Sequence, residues 1–206
     1  MLKGLNYAQM AIFFHPTDLK LLEVKVLKKE LFTKRLHLRK IKVSDSAALF
    51  NIWTDADVTK FMNISRFTNE TQAKEMIELL DELSQTNQAI RYIMIDLKTY
   101  EIIGTCGFNS IDFENARAEI GYDIAKIHWG LGYAPEGIRA LINLAFGNLQ
   151  LNRIEAKVEP ANINSIHVLQ KLNFTFEGTL RQYEKSKGNF VDINIYSLLK
   201  TDLSYE

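Results

Sequence analysis

A glycine-rich segment between a predicted strand and a predicted helix constrains this fold most: Trp129-Gly-Leu-Gly-Tyr-Ala-Pro-Glu-Gly137. Glycines at 130 and 132 allow a tight turn and a close approach of the backbone to a ligand. Pro135 suits a first helical turn, where its missing N–H would have no partner. Free amides at this helix N-terminus would face an anion, and a pyrophosphate fits such a site. The amides concerned are those of Leu131, Gly132, Tyr133 and Ala134.

Other interpretations of this segment are open at this point. A bare Gly-x-Gly is also typical of a purely structural turn. A dinucleotide-binding turn requires a third glycine, where this chain has Pro135, and an acidic residue at the end of the next strand, whereas Glu155 lies inside one. The Gly-Lys-Ser/Thr ending of a P-loop is missing.

Hydrophobic periodicity predicts a mixed α/β domain around this segment. Alternation predicts strands at 35–39, 91–96, 101–108, 117–124, 153–159, 174–178 and 190–199. Helical spacing and N-cap residues predict helices from Ser44, from Asn69, at 136–149 and at 165–172. The first strands form hairpins, whereas the strand-helix-strand order after residue 117 implies one parallel pair. The expected sheet is therefore mixed and mostly antiparallel.

The pattern divides the chain into an N-terminal extension, 1–32, and one domain, 33–206. Within the extension, 18–31 is compatible with a helix capped by Thr17, although the segment could equally be upstream translation. Its short apolar stretch, 7–14, lacks the length of a membrane span and the cleavage site of a signal peptide.

The composition excludes several function classes. Lys+Arg and Asp+Glu balance at 25 each, so no global basic field exists to attract nucleic acid. The lone Cys106 has no internal disulfide partner, which fits a reducing compartment. We therefore expect a cytoplasmic protein, with no membrane and no nucleic-acid partner, that is a monomer or a homodimer.

Several short motifs occur in an order that resembles the GNAT superfamily, in particular its RimJ/RimL-like branch of ribosomal-protein N-acetyltransferases. The resemblance covers roughly residues 33 to 200. Besides the glycine-rich segment, the motifs are Arg35-Leu-His-Leu-Arg39, Ile103-Gly-Thr-Cys-Gly107, Ala118-Glu-Ile-Gly-Tyr122, Leu151-Asn-Arg-Ile-Glu155, Asn162-Ile-Asn-Ser165, Lys171-Leu-Asn-Phe174 and Phe176-Glu-Gly178.

This resemblance implies the GNAT fold, in which the two parallel strands, about 117–124 and 152–159, splay apart. Acetyl-CoA would be the co-substrate, with its pantetheine arm in that gap. A bulge at Asp123, Ile124 and Ala125 would turn an amide toward the thioester carbonyl. Asn162 and Ser165 would meet the pantetheine and its sulfur, or else serve only as helix-capping residues.

The implied reaction is direct attack of a neutral primary amine on the thioester, with no covalent intermediate and no metal. Glu119 is the candidate base and Ser165 the second catalytic candidate; His128 and His167 are alternative bases. Glu119 could instead form only an ion pair with a basic residue on a neighbouring strand. Protonation of the departing thiolate would come from Ser165 or water.

Five positions depart from the family pattern. Trp129 replaces a frequent Gln or Arg, and Asn173 replaces a usual glycine; both changes are compatible with the site. Leu131 replaces a frequent lysine, which removes one phosphate-pairing charge, and Glu136 adds a negative charge nearby. Leu169 stands where many members have a tyrosine that acts as general acid, so the sequence does not identify the general acid.

The branch resemblance favours the α-amine of a protein or peptide as acceptor, and small-molecule amines and polyamines are the alternatives. A non-catalytic acyl-CoA-binding regulator and a generic nucleotide-binding domain are the rival hypotheses.

Overall fold

A computed structural model describes residues 27–203 as one sheet of eight strands with helices on both faces. The strands are β1 (Glu30–Phe32), β2 (Leu36–Lys40), β3 (Ile90–Asp96), β4 (Ile102–Asp112), β5 (Arg117–Ile124), β6 (Arg153–Val158), β7 (Thr175–Ser186) and β8 (Asn189–Leu199). Their order across the sheet is β1-β2-β3-β4-β5-β6-β8-β7.

Five α-helices connect these strands: α1 (Ser46–Trp53), α2 (Ala56–Thr59), α3 (Glu70–Gln85), α4 (Tyr133–Asn143) and α5 (Ile163–Lys171). Short 3-10 turns lie at Val43–Asp45, Lys126–His128 and Lys200–Asp202, and a π-turn at Leu144–Asn148 extends α4. The predicted capping box of α3 is confirmed: Asn69 accepts from the amide of Gln72, and the Gln72 side chain accepts from the Asn69 amide.

Strand alternation gives the sheet two apolar faces. On β3, Ile93 packs with Leu49, Trp53 and Ile77 of α1 and α3. The residues on either side of Ile93 point the other way, into the larger core under α4 and α5. The domain therefore has three layers, with helices on each side of the sheet.

The pairing of β5 with β6 is parallel and short. It joins Arg117 to Arg153, Ala118 to Ile154 and Glu119 to Glu155, and goes no further. Beyond Glu119, β5 continues to Ile124 on its ladder with β4, while β6 continues on its ladder with β8. The two strands therefore separate toward their carboxyl ends. The predicted mixed, mostly antiparallel sheet with one splayed parallel pair is confirmed.

The helix predicted at 18–31 is wrong in the part that the structure describes. Residues 1–26 lie outside the described residues, and most of the predicted helix 18–31 falls there. Its last residues do not form a helix, because Glu30 and Leu31 pair with Arg39 and Leu38 as the edge strand β1. The sheet thus begins within the segment assigned to the extension.

Candidate active site

The glycine-rich segment makes the turn into α4. Gly130 and Gly132 have φ angles of +75° and +79°, in the left-handed region that favours glycine, and Gly132 is the N-cap of α4. The helix begins at Tyr133, three residues earlier than predicted. Its first amides have no acceptor inside the helix, so this end is suited to an anion.

Arg35, on the loop between β1 and β2, supplies a positive charge beside this turn. Its Nε donates to Glu136 Oε2 at 2.6 Å, and one terminal nitrogen donates to the Leu131 carbonyl at 3.0 Å. The guanidinium also lies 4.5 Å from the centre of the Tyr133 ring. Its other terminal nitrogen would be 3.5 Å from a Cβ at position 132.

Glu136 is therefore a neutralised charge. Burial favours its neutral form, but hydrogen bonds from Thr33 and Arg35 and the charge of Arg35 outweigh that effect and lower its pKa. Leu131 stands where a lysine is frequent and Glu136 adds an acid, and Arg35 bonds to both of these residues.

A cleft of about 760 Å³ runs from this turn to the gap between β5 and β6. Trp129 and His128 lie on one side of it, and Asn164 and His167 of α5 lie on the other. The Trp129 ring is held in place because its Nε1 donates to the Ile124 carbonyl at 2.7 Å.

The amides of β5 alternate between the β4 ladder and the gap. Ala125 N–H donates to the Ile103 carbonyl at 2.8 Å, so it is not free. The pairing of β5 with β4 has no irregularity from Ile120 to Ile124. Because alternate amides of a strand point to opposite sides, the amides of Tyr122 and Ile124 point toward the gap.

The predicted bulge at 123–125 is wrong. The irregularity of this ladder lies between Phe108 and Ser110 of β4. There Asn109 accepts from Arg91 at 2.6 Å and donates to Glu119 at 3.0 Å. Ile124, without a bulge, is the residue that offers a free amide near the predicted position.

Asp123 points away from the gap toward α1. Its carboxylate accepts from Trp53 Nε1 at 3.2 Å and from the Thr105 hydroxyl. Burial raises the pKa of Asp123, against the opposing effects of Arg91 and these hydrogen bonds. Its side chain therefore ties β5 to α1 and β4, while Asp123 also lines the cleft.

Tyr122 and Ser165 meet across the gap. The Tyr122 hydroxyl lies 2.7 Å from Ser165 Oγ and 3.4 Å from the Ser165 carbonyl oxygen. Asn162 is the N-cap of α5, and its Oδ1 accepts from the Ser165 amide at 3.2 Å. The capping role considered for Asn162 is therefore present, and its Nδ2 atom is the donor that remains for a ligand. Nothing local in the sequence pointed to Tyr122.

A second cavity, of about 400 Å³, opens on the opposite side of the gap. Glu119, Arg91, Lys157, Tyr183 and Glu184 line it. The residues common to this cavity and the cleft are Phe61, Met62, Tyr122, Asp123, Asn162 and Ser165. The two cavities therefore meet where β5 and β6 separate.

Glu119 is ion-paired within the second cavity. Its Oε2 lies 2.9 Å from Lys157 Nζ, and its Oε1 accepts from Asn109. Burial disfavours the ammonium of Lys157, but the hydrogen bond to Glu119 and its charge raise the Lys157 pKa overall. The ion pair with a basic residue on a neighbouring strand, considered as an alternative role for Glu119, is therefore present. The Glu119 carboxylate still lines the second cavity.

The remaining candidates lie elsewhere. His128 and His167 line only the cleft at the α4 side of the gap. Cys106 is fully buried in the core, which raises the pKa of its thiol to about 12, so it is unsuited to carry an acyl group. Leu169 is also fully buried, so position 169 faces the core in this chain.

Within residues 27–203 no helix is long and apolar enough to cross a bilayer, and no group of three or more His, Cys, Asp and Glu is placed to hold a metal ion.

A cleft suited to an anionic ligand, joined to a second cavity at a break in the sheet, is the layout of a transferase with two substrates. A family model described as "Acetyltransferase (GNAT) domain" matches residues 35–175. The chain belongs to this family, and it is an N-acetyltransferase.

Sequence similarity to known proteins supports this assignment. The chain is 52% identical over 172 residues to an uncharacterized N-acetyltransferase p20 of Bacillus licheniformis, covering 84% of this chain and 97% of the relative. It is 34% identical over 100 residues to the ribosomal-protein-serine acetyltransferase of Escherichia coli, covering 48% and 56%.

Among solved structures, the fold resembles RimL, the ribosomal L7/L12 alpha-N-protein acetyltransferase, in complex with coenzyme A. The TM-score is 0.75 at 23% identity, and the alignment covers 82% of this chain and 97% of that one.

Proposed function

We propose that this enzyme transfers the acetyl group of acetyl-CoA to a primary amine by direct attack on the thioester. The observation that carries the proposal is the junction of the two cavities at Tyr122 and Ser165. A thioester entering along the cleft and an amine entering from the second cavity would meet there.

The cleft has the features that acetyl-CoA requires. The pyrophosphate would bind the first amides of α4, with Arg35 as the adjacent cation. The pantetheine would bind the gap-facing amides of Tyr122 and Ile124 as an added strand would. The Ile124 amide, which faces the gap, would lie near the thioester carbonyl and stabilise the oxyanion.

Glu119 would take the proton of the attacking amine, directly or through water. It lies on the acceptor side of the gap, which the two histidines do not. Lys157 Nζ, 2.9 Å from Glu119 Oε2, and the Asn109 side-chain amide hold the carboxylate in place within the second cavity. Ser165 would donate a hydrogen bond to the sulfur on the other side.

We propose the α-amine of a protein or peptide as the acceptor. The second cavity has mixed charge, since Glu119 is paired with Lys157 and Arg91 lies beside them. Mixed charge suits a peptide N-terminus better than a polycation. An α-amine also has a pKa of about 7.7–8.0, so a useful fraction is neutral at physiological pH.

An acceptor screen tests this proposal. Purified enzyme and acetyl-CoA are incubated with peptides of varied N-terminal residue, with the same peptides blocked at the α-amine but carrying an internal lysine, and with spermidine. Release of CoA thiol and the mass of the acceptor are measured. We expect acetylation of the free α-amine peptides alone. Preference for spermidine or lysine would overturn the acceptor assignment, and CoA binding without any acetyl transfer would overturn the catalytic role.

A further inference from the structure

The Tyr122–Ser165 pair lies where the proposed function places the breaking carbon–sulfur bond. Ser165 lies in the first turn of α5, and Tyr122 is on β5 just beyond its last pairing with β6. Both line the cleft and the second cavity. The departing sulfur would therefore leave beside Ser165 Oγ.

The chemistry of the pair limits what Tyr122 can do. Burial raises the pKa of the Tyr122 phenol to about 12, although the hydrogen bond with Ser165 acts the other way. A thiol has a pKa of about 8.5, so the thiolate is too weak a base to remove a proton from such a phenol completely. Tyr122 stays protonated, and the sulfur leaves as a thiolate that needs only a hydrogen bond.

Distance and acidity favour Tyr122 as the donor within the pair. The Tyr122 hydroxyl lies 2.7 Å from Ser165 Oγ and 3.4 Å from the Ser165 carbonyl oxygen, so Oγ is the nearer acceptor for its one proton. A phenol is also more acidic than an aliphatic hydroxyl and is therefore the stronger hydrogen-bond donor. With Tyr122 as donor, Ser165 Oγ is left with its own proton to direct elsewhere. A serine hydroxyl without such a partner rotates among several orientations.

We propose that Tyr122 is a positioning residue that holds Ser165 Oγ with its proton directed at the thioester sulfur. In the reaction the amine nitrogen bonds to the acetyl carbon, and the carbon–sulfur bond then breaks with its electron pair on sulfur. Ser165 stabilises that charge by a hydrogen bond, the amine proton goes to Glu119 or water, and solvent protonates the thiolate later. No proton leaves Tyr122. This inference rests on the proposed function.

The test is a double-mutant cycle on turnover with acetyl-CoA and a peptide acceptor from the screen above. Tyr122→Phe keeps the ring in place and removes only the hydroxyl. We expect kcat to fall about 10-fold, with KM for acetyl-CoA and the Kd of CoA unchanged, because the lost hydrogen bond acts in the transition state. Ser165→Ala should lower kcat at least as much, and the double variant should be no slower than Ser165→Ala alone.

Three results would overturn the inference: unchanged kcat in Tyr122→Phe, a higher KM or Kd in place of a lower kcat, or multiplying losses in the double variant. Ser165→Thr supplies a second comparison if Tyr122→Phe does not fold. It retains a hydroxyl and should keep most of the kcat that Ser165→Ala loses; equal losses would contradict the role of the hydroxyl. Failure of the proposed function is distinguishable, because the unmodified enzyme would then acetylate no amine.

Discussion

Gly132 illustrates at the scale of one residue how the backbone prepares the cofactor site. Its φ of +79° is accessible to glycine and strained for a β-branched residue. A Cβ there would also approach the Arg35 guanidinium at 3.5 Å. A side chain at 132 would thus strain the turn and occupy the space beside the cation.

We predict that Gly132→Val weakens CoA binding about 10-fold or more, since backbone strain costs about 1–3 kcal/mol and the anion loses close contact. Calorimetric titration with CoA measures this. Gly147→Ala is the matched control, because a Cβ at 147 meets nothing within 4 Å. If a folded Gly132→Val protein bound CoA with the affinity of the control, the amides of this turn would not be part of the CoA site.

For Glu119 we predict that Glu119→Gln lowers kcat on the order of 10²-fold while acetyl-CoA affinity persists. The amide keeps the shape but cannot accept the amine proton. Activity should recover partly as pH rises, because more of the acceptor is then already neutral. The measurement is a pH profile of kcat with the peptide acceptor.

Lys157→Met separates this role from simple ion pairing. If Glu119 mattered only through its bond to Lys157, both variants would lose activity equally. We expect Lys157→Met to retain far more activity than Glu119→Gln. Nearly full activity of Glu119→Gln near neutral pH would show that another group is the base.

Single residues were predictable where their role is local. The capping roles of Asn69, Gln72 and Asn162 follow from spacing alone. The role of Tyr122 could not be predicted in this way, because its partner Ser165 is 43 residues away in the sequence. Tyr122 lies on the face of β5 opposite Glu119, and it reaches the junction of the two cavities because β5 and β6 separate there.

At the scale of elements, the loop before β2 and the first turn of α4 form one unit. Thr33 and Arg35 both bond to Glu136, and Arg35 also bonds to Leu131. The distance in sequence between these residues is about 100, which explains why the compensation for the missing lysine could not be predicted.

We predict that Arg35→Ala weakens CoA binding about 5- to 10-fold, because a cation is lost and Glu136 is left uncompensated near the phosphates. Adding Glu136→Gln should recover part of the affinity. Arg117→Ala is the control, since Arg117 pairs with Asp112 at the opposite end of β5. Calorimetry that gave Arg35→Ala the affinity of the Arg117→Ala protein would contradict the assignment of Arg35.

Element boundaries failed where tertiary contacts override the sequence pattern. β7 extends to Ser186, well past the predicted end at 178, because a mostly exposed edge strand lacks apolar alternation and is defined by its partner β8. The helix predicted at 136–149 ends in a π-turn, Leu144–Asn148, which helical periodicity does not distinguish from regular α-helix.

At the scale of the whole molecule, the N-terminal boundary of the domain can be tested. Leu27 is buried in the main core, and the Lys28 carbonyl accepts from the Tyr92 hydroxyl at 2.6 Å. β1 then pairs with β2. These contacts show that residues 27–32 pack as part of the domain.

A protein that starts at Leu27 should keep the stability and CoA affinity of the full chain. One that starts at Thr33 loses the buried Leu27 side chain, worth about 1.5–3 kcal/mol, and the edge strand. Its thermal midpoint should fall by about 4–8 °C. Scanning calorimetry compares them, and equal midpoints for the full chain and the protein from Thr33 would show that β1 contributes nothing to stability.

The arrangement of the whole sheet was predictable because strand-helix-strand order implies a parallel pair. The location of the free amides was not, because the predicted bulge is absent and strand alternation alone turns Tyr122 and Ile124 to the gap. The central claim is that acetyl-CoA binds in this gap with its sulfur at the Tyr122–Ser165 pair.

A crystal structure of the enzyme with CoA tests that claim most directly. We expect the pyrophosphate on the first amides of α4 beside Arg35, the pantetheine bonded to the amides of Tyr122 and Ile124, and the sulfur within contact of Ser165 Oγ. A further cavity of about 820 Å³ lies between the β1–β2 loop and α4, and it shares Gly132, Pro135 and Lys171 with the cleft. CoA bound there, with the gap between β5 and β6 empty, would contradict the account.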